Sequence, residues 1–538
     1  MSSFLDFKNK FENKISKHDS RKNTNRFADI VGLPDSVKVK KNTIHLAGGT
    51  PYETLFPFKK IDVEYRNSPG KLGEKDPSGS ETIEKQKSFS IPLYKEHENQ
   101  SDISTAFQYQ YSNGSSELLA KTKKIVEALN MPGYKGWDTV MTSGSSDSMN
   151  KTFALLVDDE TTVLCEEFTY PNVFHNCSYH GGTPVPLKMH VTDDKTKQGI
   201  NIEYLKEFLE AFETNYPGKK KKIVLYTICT GHNPTALTES YEKRKQIYEL
   251  CKNHGVFIIE DDPYGYLQLP KFDKTNPLVN AYDESVTLES FVKDLLVPSY
   301  ITIDTEGIVL RMETFSKVVS PGLRLGFIVG NSYFIKRLSN ISNMTNRNPA
   351  GSSQAIVNNL LDTLSTDYKA LNPDAKWIDG WLDWCMKIAG TYTKRRNILF
   401  KAIYESEAYK KHLFTLLEPS CGMFASIVVN LKPEYIAVID SKVKGQDKIN
   451  KIKRAMDYLL CCLLEAGTVV ILGYKMTVSK DFSMERATFL RITFAKASSE
   501  NEFVKGAKGL SDGFETFFNE YMTENERWNL LPTGLEGM

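Results

Sequence analysis

The sequence has little of three features that would each point to a particular class of protein. Its eight cysteines in 538 residues are scattered, and no two stand in the C-x-x-C spacing of metal or redox sites. The longest apolar run, YLLCCLL at 458–464, is far shorter than the ~20 residues that a membrane-spanning helix needs. Basic and acidic residues balance, 68 against 67, so the chain offers no net field to nucleic acid or an anionic membrane. We therefore expect a cytoplasmic protein with reduced thiols that binds neither nucleic acid nor membrane.

Length and local composition predict several structural units. A chain of 538 residues is too long for one hydrophobic core and should form at least two domains. Near the start, Phe4, Phe7, Phe11 and Ile15 recur at helical spacing among lysines. They predict an amphipathic arm that docks on the body or on a partner chain; acidic residues nearby disfavour the alternative of a mitochondrial presequence. Residues 61–101 are polar with poor apolar periodicity, which predicts a mobile segment without a fixed fold.

From residue 116 onward, short apolar runs alternate with helical patterns. The runs DTVMTSG, TTVLCEE, KIVLYTICTG and VFIIEDD each end in polar or glycine residues, whereas ELLAKTKKIVEAL and DSMNKTFALLV have helical spacing. This alternation predicts an α/β fold with a mostly parallel sheet and helices on both faces. Later runs, SCGMFASIVVN and ATFLRITFA, predict a smaller α+β domain. We place the large domain at residues 102–378 and the small domain at 379–538.

Polar groups gather at the ends of four predicted strands, where ligands bind in sheets of this type. Ser143–Ser146 lie between a strand and a helix, where exposed amides and the helix dipole favour a phosphate. Asn233 follows a second strand, Asp261 and Tyr264 follow a third, and Lys317 follows a fourth. One site could therefore unite a phosphate, a carboxylate, a phenol and an amine. Taken singly, each of these residues has an ordinary explanation as a turn, a surface lysine or a core aromatic.

Eight motifs in order make the sequence resemble a known family, the fold type I pyridoxal-phosphate aminotransferases. The motifs are SGS, EEFTY, NPT, EDDPYGYL, FSKVVSPGLRLG, YTKRRN, EPSCGMF and FLRITFA, spread from Ser143 to Ala495. With IHLAGGTPYETLFPF and AFQYQYSNGSSELL nearer the start, the resemblance covers most of the chain. EDDPYGYL and VVILGYKM make it most similar to the fungal aromatic aminotransferases of the second type, relatives of the kynurenine and 2-aminoadipate aminotransferases.

The resemblance implies pyridoxal 5'-phosphate as the cofactor, implies no metal, and gives each motif a role. Lys317 would bond to the cofactor and move protons, and Asp261 would pair with the ring nitrogen. Tyr264 and Asn233 would hydrogen-bond the ring oxygen, and Tyr170 would stack on the ring face. The residues that would bind the phosphate are Ser145, Ser146, Thr314, Ser316 and Arg324.

The same resemblance implies where the substrate binds. Arg491 would hold the α-carboxylate through paired hydrogen bonds, with Asn233 beside it. Gly49 would contribute from an N-terminal arm, residues 1–60, that joins the small domain and forms a substrate lid. Tyr109 would reach across a homodimer to the cofactor and substrate of the partner chain. The implied activity moves the amino group of phenylalanine, tyrosine or tryptophan to 2-oxoglutarate or an aromatic 2-oxo acid.

Three alternatives compete with this function. The same chemistry could act on 2-aminoadipate or kynurenine, which turnover of each amino acid would decide. A transcription regulator built on this fold would need an upstream DNA-binding module, for which the roughly 45 residues before LAGGTP are too few. A catalytically inactive relative is disfavoured because Lys317, Asp261 and Arg491 are intact. Three positions depart from the relatives' pattern, since Ser146 and His232 stand where glutamine is found in those enzymes and Ala236 stands where glycine is found.

Overall fold

Two sheets of unequal size, each with its own hydrophobic core, make up most of the described fold, and two further sheets have two strands each. The structure, a computed structural model, describes residues 2–20, 36–38, 40, 42, 44, 49–70, 72–73, 87–431 and 446–521. Residues 45–48, part of one motif of the resemblance, lie outside the described residues. The strands, numbered along the chain, are β1 (Lys60–Tyr65), β2 (Lys87–Pro92), β3 (Trp137–Thr142), β4 (Thr161–Glu166), β5 (Thr183–Leu187), β6 (Met189–His190), β7 (Gly199–Ile200), β8 (Lys222–Thr227), β9 (Phe257–Asp261), β10 (Val309–Thr314), β11 (Gly326–Asn331), β12 (Phe414–Leu417), β13 (Phe424–Val429), β14 (Ile471–Leu472) and β15 (Phe489–Thr493).

Helices surround both sheets. The longer α-helices are Ser2–Phe11, Ser116–Leu129, Ser145–Leu156, Asn172–Tyr179, Ile202–Glu210, Tyr241–His254, Ser332–Met344, Gly351–Leu371, Trp377–Tyr404, Gln446–Glu465 and Glu500–Tyr521. The shorter helices and helical turns are Glu12–Lys14, Lys17–Ser20, Glu53–Leu55, Ile103–Ala106, Phe212–Asn215, Ala281–Glu284, Leu288–Ser290, Phe291–Leu295, Tyr300–Ile303, Pro321–Leu323, Glu407–Lys410, Gly473–Met476, Lys480–Ser483 and Met484–Arg486. Within the described ranges, none of these helices combines the length and apolar character needed to cross a bilayer.

The large sheet has seven strands in the order β3-β11-β10-β9-β8-β4-β5. Its neighbouring pairs β10–β9, β9–β8, β8–β4 and β4–β5 are parallel, and β11 alone runs against its neighbours. Strands β4 and β9 are buried along their whole length, because helices cover both faces of the sheet. The predicted α/β fold with a mostly parallel sheet is therefore confirmed.

Local sequence fixes where the helices around this sheet begin. The side chains of Ser115, Ser240 and Asn331 each accept a hydrogen bond from a backbone N–H in the first turn of the helix that follows. Such caps satisfy donors that the helix itself leaves unpaired. The helix that starts at Ser145 has Gly144 in this place instead, with φ of 85° and no side-chain cap. Its first amides therefore remain available at the edge of the sheet where the site lies.

A smaller antiparallel sheet, in the order β12-β13-β15-β14, forms the second core. Its strands pack against the end of the Trp377–Tyr404 helix and against the helices Gln446–Glu465 and Glu500–Tyr521. Strand β15 carries Arg491, which pairs in register with Ser426 on β13. The small sheet therefore places a guanidinium near the boundary between the two cores.

The described start of the N-terminal arm packs on the large core rather than on the small domain, whereas residues 21–35 of the arm lie outside the described residues. Its described helix, Ser2–Phe11, packs on the large core, where the Phe11 ring lies 5.1 Å from Phe257 and 5.5 Å from Phe334. The apolar face of the helix covers aromatic side chains that would otherwise be exposed. The arm therefore docks on the body of the large domain.

Parts of residues 61–101, predicted to lack a fixed fold, form two paired strands, whereas residues 71 and 74–86 lie outside the described residues. Strand β1 pairs antiparallel with β2 over six positions, and Ile61 lies opposite Ile91. Apolar residues Ile61, Val63 and Tyr65 alternate with charged ones, which is the pattern of a strand with one packed face. Ile91 belongs to a small third cluster with Ile103. The charged residues of β1 had masked this alternation in the sequence.

Candidate active site

The carboxylate of Asp261 lies at the end of β9, buried inside the large domain. Its Oδ2 accepts a hydrogen bond of 2.5 Å from the hydroxyl of Tyr226 on the neighbouring strand β8. Its Oδ1 is buried and has no hydrogen-bond partner among the described residues. Burial raises the pKa of Asp261 to about 7, while the hydrogen bond from Tyr226 and the nearby Lys317 act in the opposite direction. One carboxylate oxygen is thus anchored and the other is free to accept a bond.

The opposite face of the same strands carries a buried cluster of four charges. Arg311 on β10 contacts Glu260 at 3.0 Å, Asp262 at 2.9 Å and Glu313 at 2.9 Å. Because successive side chains of a strand point to opposite faces, Glu260 and Asp262 face Arg311 while Asp261 between them faces the site. The cluster ties the end of β9 to β10, the strand that leads to Lys317.

Lys317 lies three residues beyond the end of β10, in a turn that is half-buried. Burial lowers the pKa of its amine, the charge of Arg324 lowers it further, and Asp261 opposes both. An amine with a lowered pKa is more often neutral and therefore more nucleophilic. The charges that act on Lys317 are those of Arg324 and Asp261. The resemblance expects the cofactor to lie between these two residues.

A cradle of hydroxyls, amides and a guanidinium lies beside Lys317. The hydroxyls of Thr314 and Ser316 lie 2.8 Å apart, and Arg324 donates to the carbonyl of Ser143 at 3.2 Å. A Cβ on Gly144 would lie 2.6 Å from the Arg324 guanidinium, so a side chain there would fill the cradle. The residues that stand at the start of the adjoining helix are Ser145 and Ser146. These donors, together with the helix dipole, suit an anion such as a phosphate.

Arg491 reaches from the small sheet to the large one. Its Nη1 donates to Asn233 Oδ1 at 2.5 Å, and its guanidinium lies over the ring of Phe424, 4.3 Å from the centroid. The Phe424 ring meets Tyr264 edge to face, with centroids 5.9 Å apart. Burial lowers the pKa of Arg491, and the nearby Tyr264 hydroxyl opposes the shift. A guanidinium bordered by aromatic rings is thus placed at the domain boundary.

Tyr264 lies close to both Arg491 and Asp261. Burial raises the pKa of its hydroxyl, the charge of Asp261 raises it further, and Arg491 and Tyr170 also lie close enough to affect it. Tyr170 follows β4 and is half-buried, and its hydroxyl accepts a hydrogen bond from Asn172 at 2.7 Å. The structure therefore brings together all of the predicted site residues that follow strands of the large sheet.

Two predicted site residues lie apart from this group. Gly49 is exposed, and nothing lies within 4 Å of a Cβ built on it. Tyr109 is 67% exposed and contacts Arg347, whose guanidinium lies 5.3 Å from the ring centroid. Within one chain, no described contact of either residue reaches Lys317.

Three residues that contact the site were not predicted from the sequence. Tyr226, Arg311 and Phe424 each touch a predicted site residue, or a neighbour of one, from an adjacent strand or domain. The signal for Tyr226 is its place on β8, where it pairs with Ile259, two residues before Asp261. Recognising it requires the order of strands in the sheet, which the sequence does not state.

Comparison with known proteins assigns this arrangement to a family. The family "Aminotransferase class I and II" matches residues 78–502. This chain belongs to the class I and II aminotransferases. It is 34% identical over 527 residues to aromatic amino acid aminotransferase 2 of Saccharomyces cerevisiae, which covers 96% of this chain and 98% of that protein. An L-tyrosine:2-oxoglutarate aminotransferase of Serpula lacrymans is 28% identical over 462 residues, 85% of this chain and 82% of that protein.

Solved structures agree with this assignment. The aromatic aminotransferase Aro9 of Candida albicans superposes with a TM-score of 0.82 and 33% identity, covering 95% of this chain and 98% of that one. A kynurenine aminotransferase of Pyrococcus horikoshii, 20% identical with a TM-score of 0.57 over 77% of this chain and 83% of that one, shows the shared fold. The family, the fold type and the enzyme class predicted from the sequence are confirmed.

The residues of this aminotransferase fit the cofactor of its family, pyridoxal 5'-phosphate. The unpartnered Oδ1 of Asp261 offers an acceptor for a protonated ring nitrogen. The cradle at Gly144 and Arg324 offers donors for a phosphate, and the Lys317 amine lies near enough to both for their charges to shift its pKa. An acid, an amine and an anion site are the three groups that this cofactor requires.

Proposed function

We propose that this aminotransferase takes the amino group from phenylalanine, tyrosine or tryptophan and gives it to 2-oxoglutarate or an aromatic 2-oxo acid. The observation that carries the substrate assignment is the Arg491 guanidinium lying over the Phe424 ring, with Tyr264 edge-on to that ring. An amino acid whose α-carboxylate binds Arg491 would place its side chain beside aromatic surfaces, which favour an aromatic side chain. Relatives named as aromatic and tyrosine aminotransferases support the same substrate class.

We assign each polar residue of the site a role that its placement supports. Pyridoxal phosphate, when bound, supplies an electron sink that allows an amino acid to lose its α-hydrogen as a proton. Lys317 accepts that proton and later returns one to the product, because burial favours its neutral form. Asp261 would hold the ring nitrogen in its protonated form through Oδ1, which has no partner among the described residues. Tyr264 and Asn233 would hydrogen-bond the ring oxygen, and Tyr170 would cover the ring.

Binding of the anionic groups is divided between the two sheets. Arg491 binds the α-carboxylate of both substrates with its fork of donors, and Asn233 orients that fork. The residues that bind the cofactor's phosphate are Ser145, Ser146, Thr314, Ser316 and Arg324. Because Arg491 belongs to the small sheet and Lys317 follows a strand of the large one, catalysis requires both to keep a fixed relative position.

We further propose that the enzyme is a cytoplasmic homodimer with domains at 102–378 and 379–538. Tyr109, exposed within one chain, would complete the partner's cofactor and substrate sites. Gly49 would line the substrate site from the N-terminal segment. Exposed aromatic residues near Tyr109, such as Tyr52 and Tyr111, support a surface that a second copy covers.

Steady-state kinetics with purified protein test the substrate assignment. We expect a higher kcat/KM for phenylalanine, tyrosine or tryptophan than for 2-aminoadipate or kynurenine, with 2-oxoglutarate as the common acceptor. A tenfold preference for 2-aminoadipate, about 1.4 kcal/mol in transition-state binding, would contradict the aromatic assignment while leaving the enzyme class unchanged. Analytical ultracentrifugation tests the dimer, and an active monomer would contradict it.

A further inference from the structure

The phenol of Tyr226 lies on β8, next to the Asp261 carboxylate of the active site. The residue is fully buried, and its ring meets that of Phe153 edge to face at 6.2 Å. Its hydroxyl donates to Asp261 Oδ2 at 2.5 Å, the one hydrogen bond that this hydroxyl makes among the described residues. The ring of Tyr226 therefore packs against Phe153, and its hydroxyl binds the Asp261 carboxylate.

The parallel register of β8 and β9 sets this contact. Tyr226 lies opposite Ile259, and Asp261 follows two residues later on the same face of the sheet. The hydroxyl thus approaches Asp261 from the neighbouring strand and leaves Oδ1 pointing elsewhere. That oxygen is buried without a partner among the described residues, a costly state unless a ligand satisfies it.

We propose that Tyr226 is a positioning residue that fixes the Asp261 carboxylate by Oδ2 and thereby presents Oδ1 to the ring nitrogen of the cofactor. The inference rests on the proposed function, because it takes Asp261 to face that nitrogen. A freely rotating carboxylate would spread its charge over several orientations, whereas one anchored by a buried donor has a single direction. Preorganisation of this kind strengthens an interaction without adding a contact.

A phenol suits this position for an electrostatic reason. Burial raises the pKa of Tyr226 well above its ordinary value, so the hydroxyl remains a donor. Its hydrogen bond favours the ionised form of Asp261, against the effect of burial. A cation in the same place would compete with the ring nitrogen for the carboxylate, whereas a neutral donor does not. The other ionisable groups whose charges act on this pair are Glu166, Tyr264 and Lys317, together with Asp262 and Arg311 from the opposite face of the sheet.

The test compares two buried phenols that each donate to a buried carboxylate. Tyr226→Phe removes the hydroxyl from Asp261, and Tyr300→Phe removes the matched bond to Glu239, which measures 2.9 Å. The affinity of the full-length apoenzyme for pyridoxal 5'-phosphate is measured by isothermal titration. We expect Tyr226→Phe to weaken it roughly tenfold, the lower range for losing a hydrogen bond to a charged group. Tyr300→Phe should leave it unchanged.

Two further measurements separate positioning from packing. Tyr226→Phe should lower kcat and leave the KM for the amino donor unchanged, since the substrate is held elsewhere. In an Asp261→Asn background, Tyr226→Phe should have much less effect on cofactor affinity, because the two residues act as a unit. Equal cofactor affinity in Tyr226→Phe and Tyr300→Phe would contradict the proposal, as would a Tyr226→Phe chain that fails to fold while Tyr300→Phe folds.

The result does not depend on which amino acid the enzyme uses. Cofactor affinity is measured on apoenzyme without any substrate, so the difference between each variant and wild type does not depend on the amino donor. Failure of the wild-type protein to turn over aromatic amino acids would contradict the proposed substrate and leave this comparison valid.

Discussion

Arg491 on the small sheet donates a 2.5 Å hydrogen bond to the side-chain oxygen of Asn233 at the edge of the large sheet. Because an amide side chain has one acceptor atom and one donor atom, this bond leaves the Asn233 amide nitrogen to donate elsewhere. No described residue accepts from that nitrogen. The contact therefore fixes the guanidinium that we propose binds the α-carboxylate, and it leaves the Asn233 amide nitrogen for the proposed contact with the cofactor.

Replacing Arg491 by lysine keeps the charge and removes the planar fork. We expect KM to rise about tenfold or more for both the amino acid and the 2-oxo acid, since both present an α-carboxylate. Affinity for pyridoxal phosphate should change less than KM, because Arg491 affects the cofactor only through the orientation of Asn233. Arg337→Lys, which alters a half-buried guanidinium paired with the buried Asp19, is the matched control. A rise in KM for one substrate only would assign Arg491 to the side-chain pocket instead.

Lys317→Ala should remove transamination while the protein still folds. We expect kcat to fall at least about a hundredfold, the lower range for losing a proton-transfer group. Wild-type protein reduced with borohydride should retain cofactor after denaturation, whereas the variant should release it. Lys336→Ala, an exposed lysine on a helix of the large domain, should behave as wild type. Cofactor retained by reduced Lys317→Ala would assign the covalent link to another lysine.

Glu166 predicts a dependence of stability on pH. Burial raises the pKa of this carboxyl to about 8, and its Oε2 lies 3.9 Å from His232, whose pKa burial lowers to about 3. Between its ordinary range and pH 8, the folded chain holds a proton that the unfolded chain releases. Stability from this group is therefore lost as pH rises through that window.

Glu166→Gln should remove this loss. The unfolding free energy of the variant minus that of wild type should rise from about pH 5 to pH 8 and then level off. Urea denaturation of the two apoenzymes measures this difference. Glu160→Gln removes an exposed carboxylate whose pKa is lowered mainly by Lys220, so its difference from wild type should not rise with pH. A constant difference for Glu166→Gln across the window would mean that Glu166 is ionised in the folded chain.

The spacing of the sequence pointed to the parts of the site that follow strands, whereas Arg491, inside β15, was predicted only through the resemblance. Asp261, Lys317 and Asn233 stand just after apolar runs, and parallel strands bring such ends to one edge of a sheet. Tyr226 could not be found in this way, since it lies inside a strand and looks like an ordinary core aromatic. Arg311 was hidden for the same reason, because only the register of β9 and β10 places it opposite Glu260.

The N-terminal region shows a different limit. Spacing alone predicted the helix that carries Phe11, yet it could not state which surface the apolar face would cover. In β1, charged residues between Ile61, Val63 and Tyr65 concealed a strand whose packed face is completed by β2, about two dozen residues later. Both outcomes depend on non-local packing, which a periodicity cannot specify.

The charge cluster around Arg311 predicts that loss of this guanidinium destabilises the folded protein. One buried guanidinium compensates Glu260, Asp262 and Glu313, each within 3.0 Å. Arg311→Met would leave three buried carboxylates facing one another, so the unfolding free energy should fall by about 3–5 kcal/mol. Arg311→Lys should lose less, because it keeps the charge but cannot make all three contacts. Lys293→Met, which breaks an exposed pair with Glu289, should give no measurable change in urea denaturation. Lowering the pH should partly restore Arg311→Met, since protonated carboxyls no longer repel one another, and a variant as stable as wild type at neutral pH would show that the three acids are already protonated there.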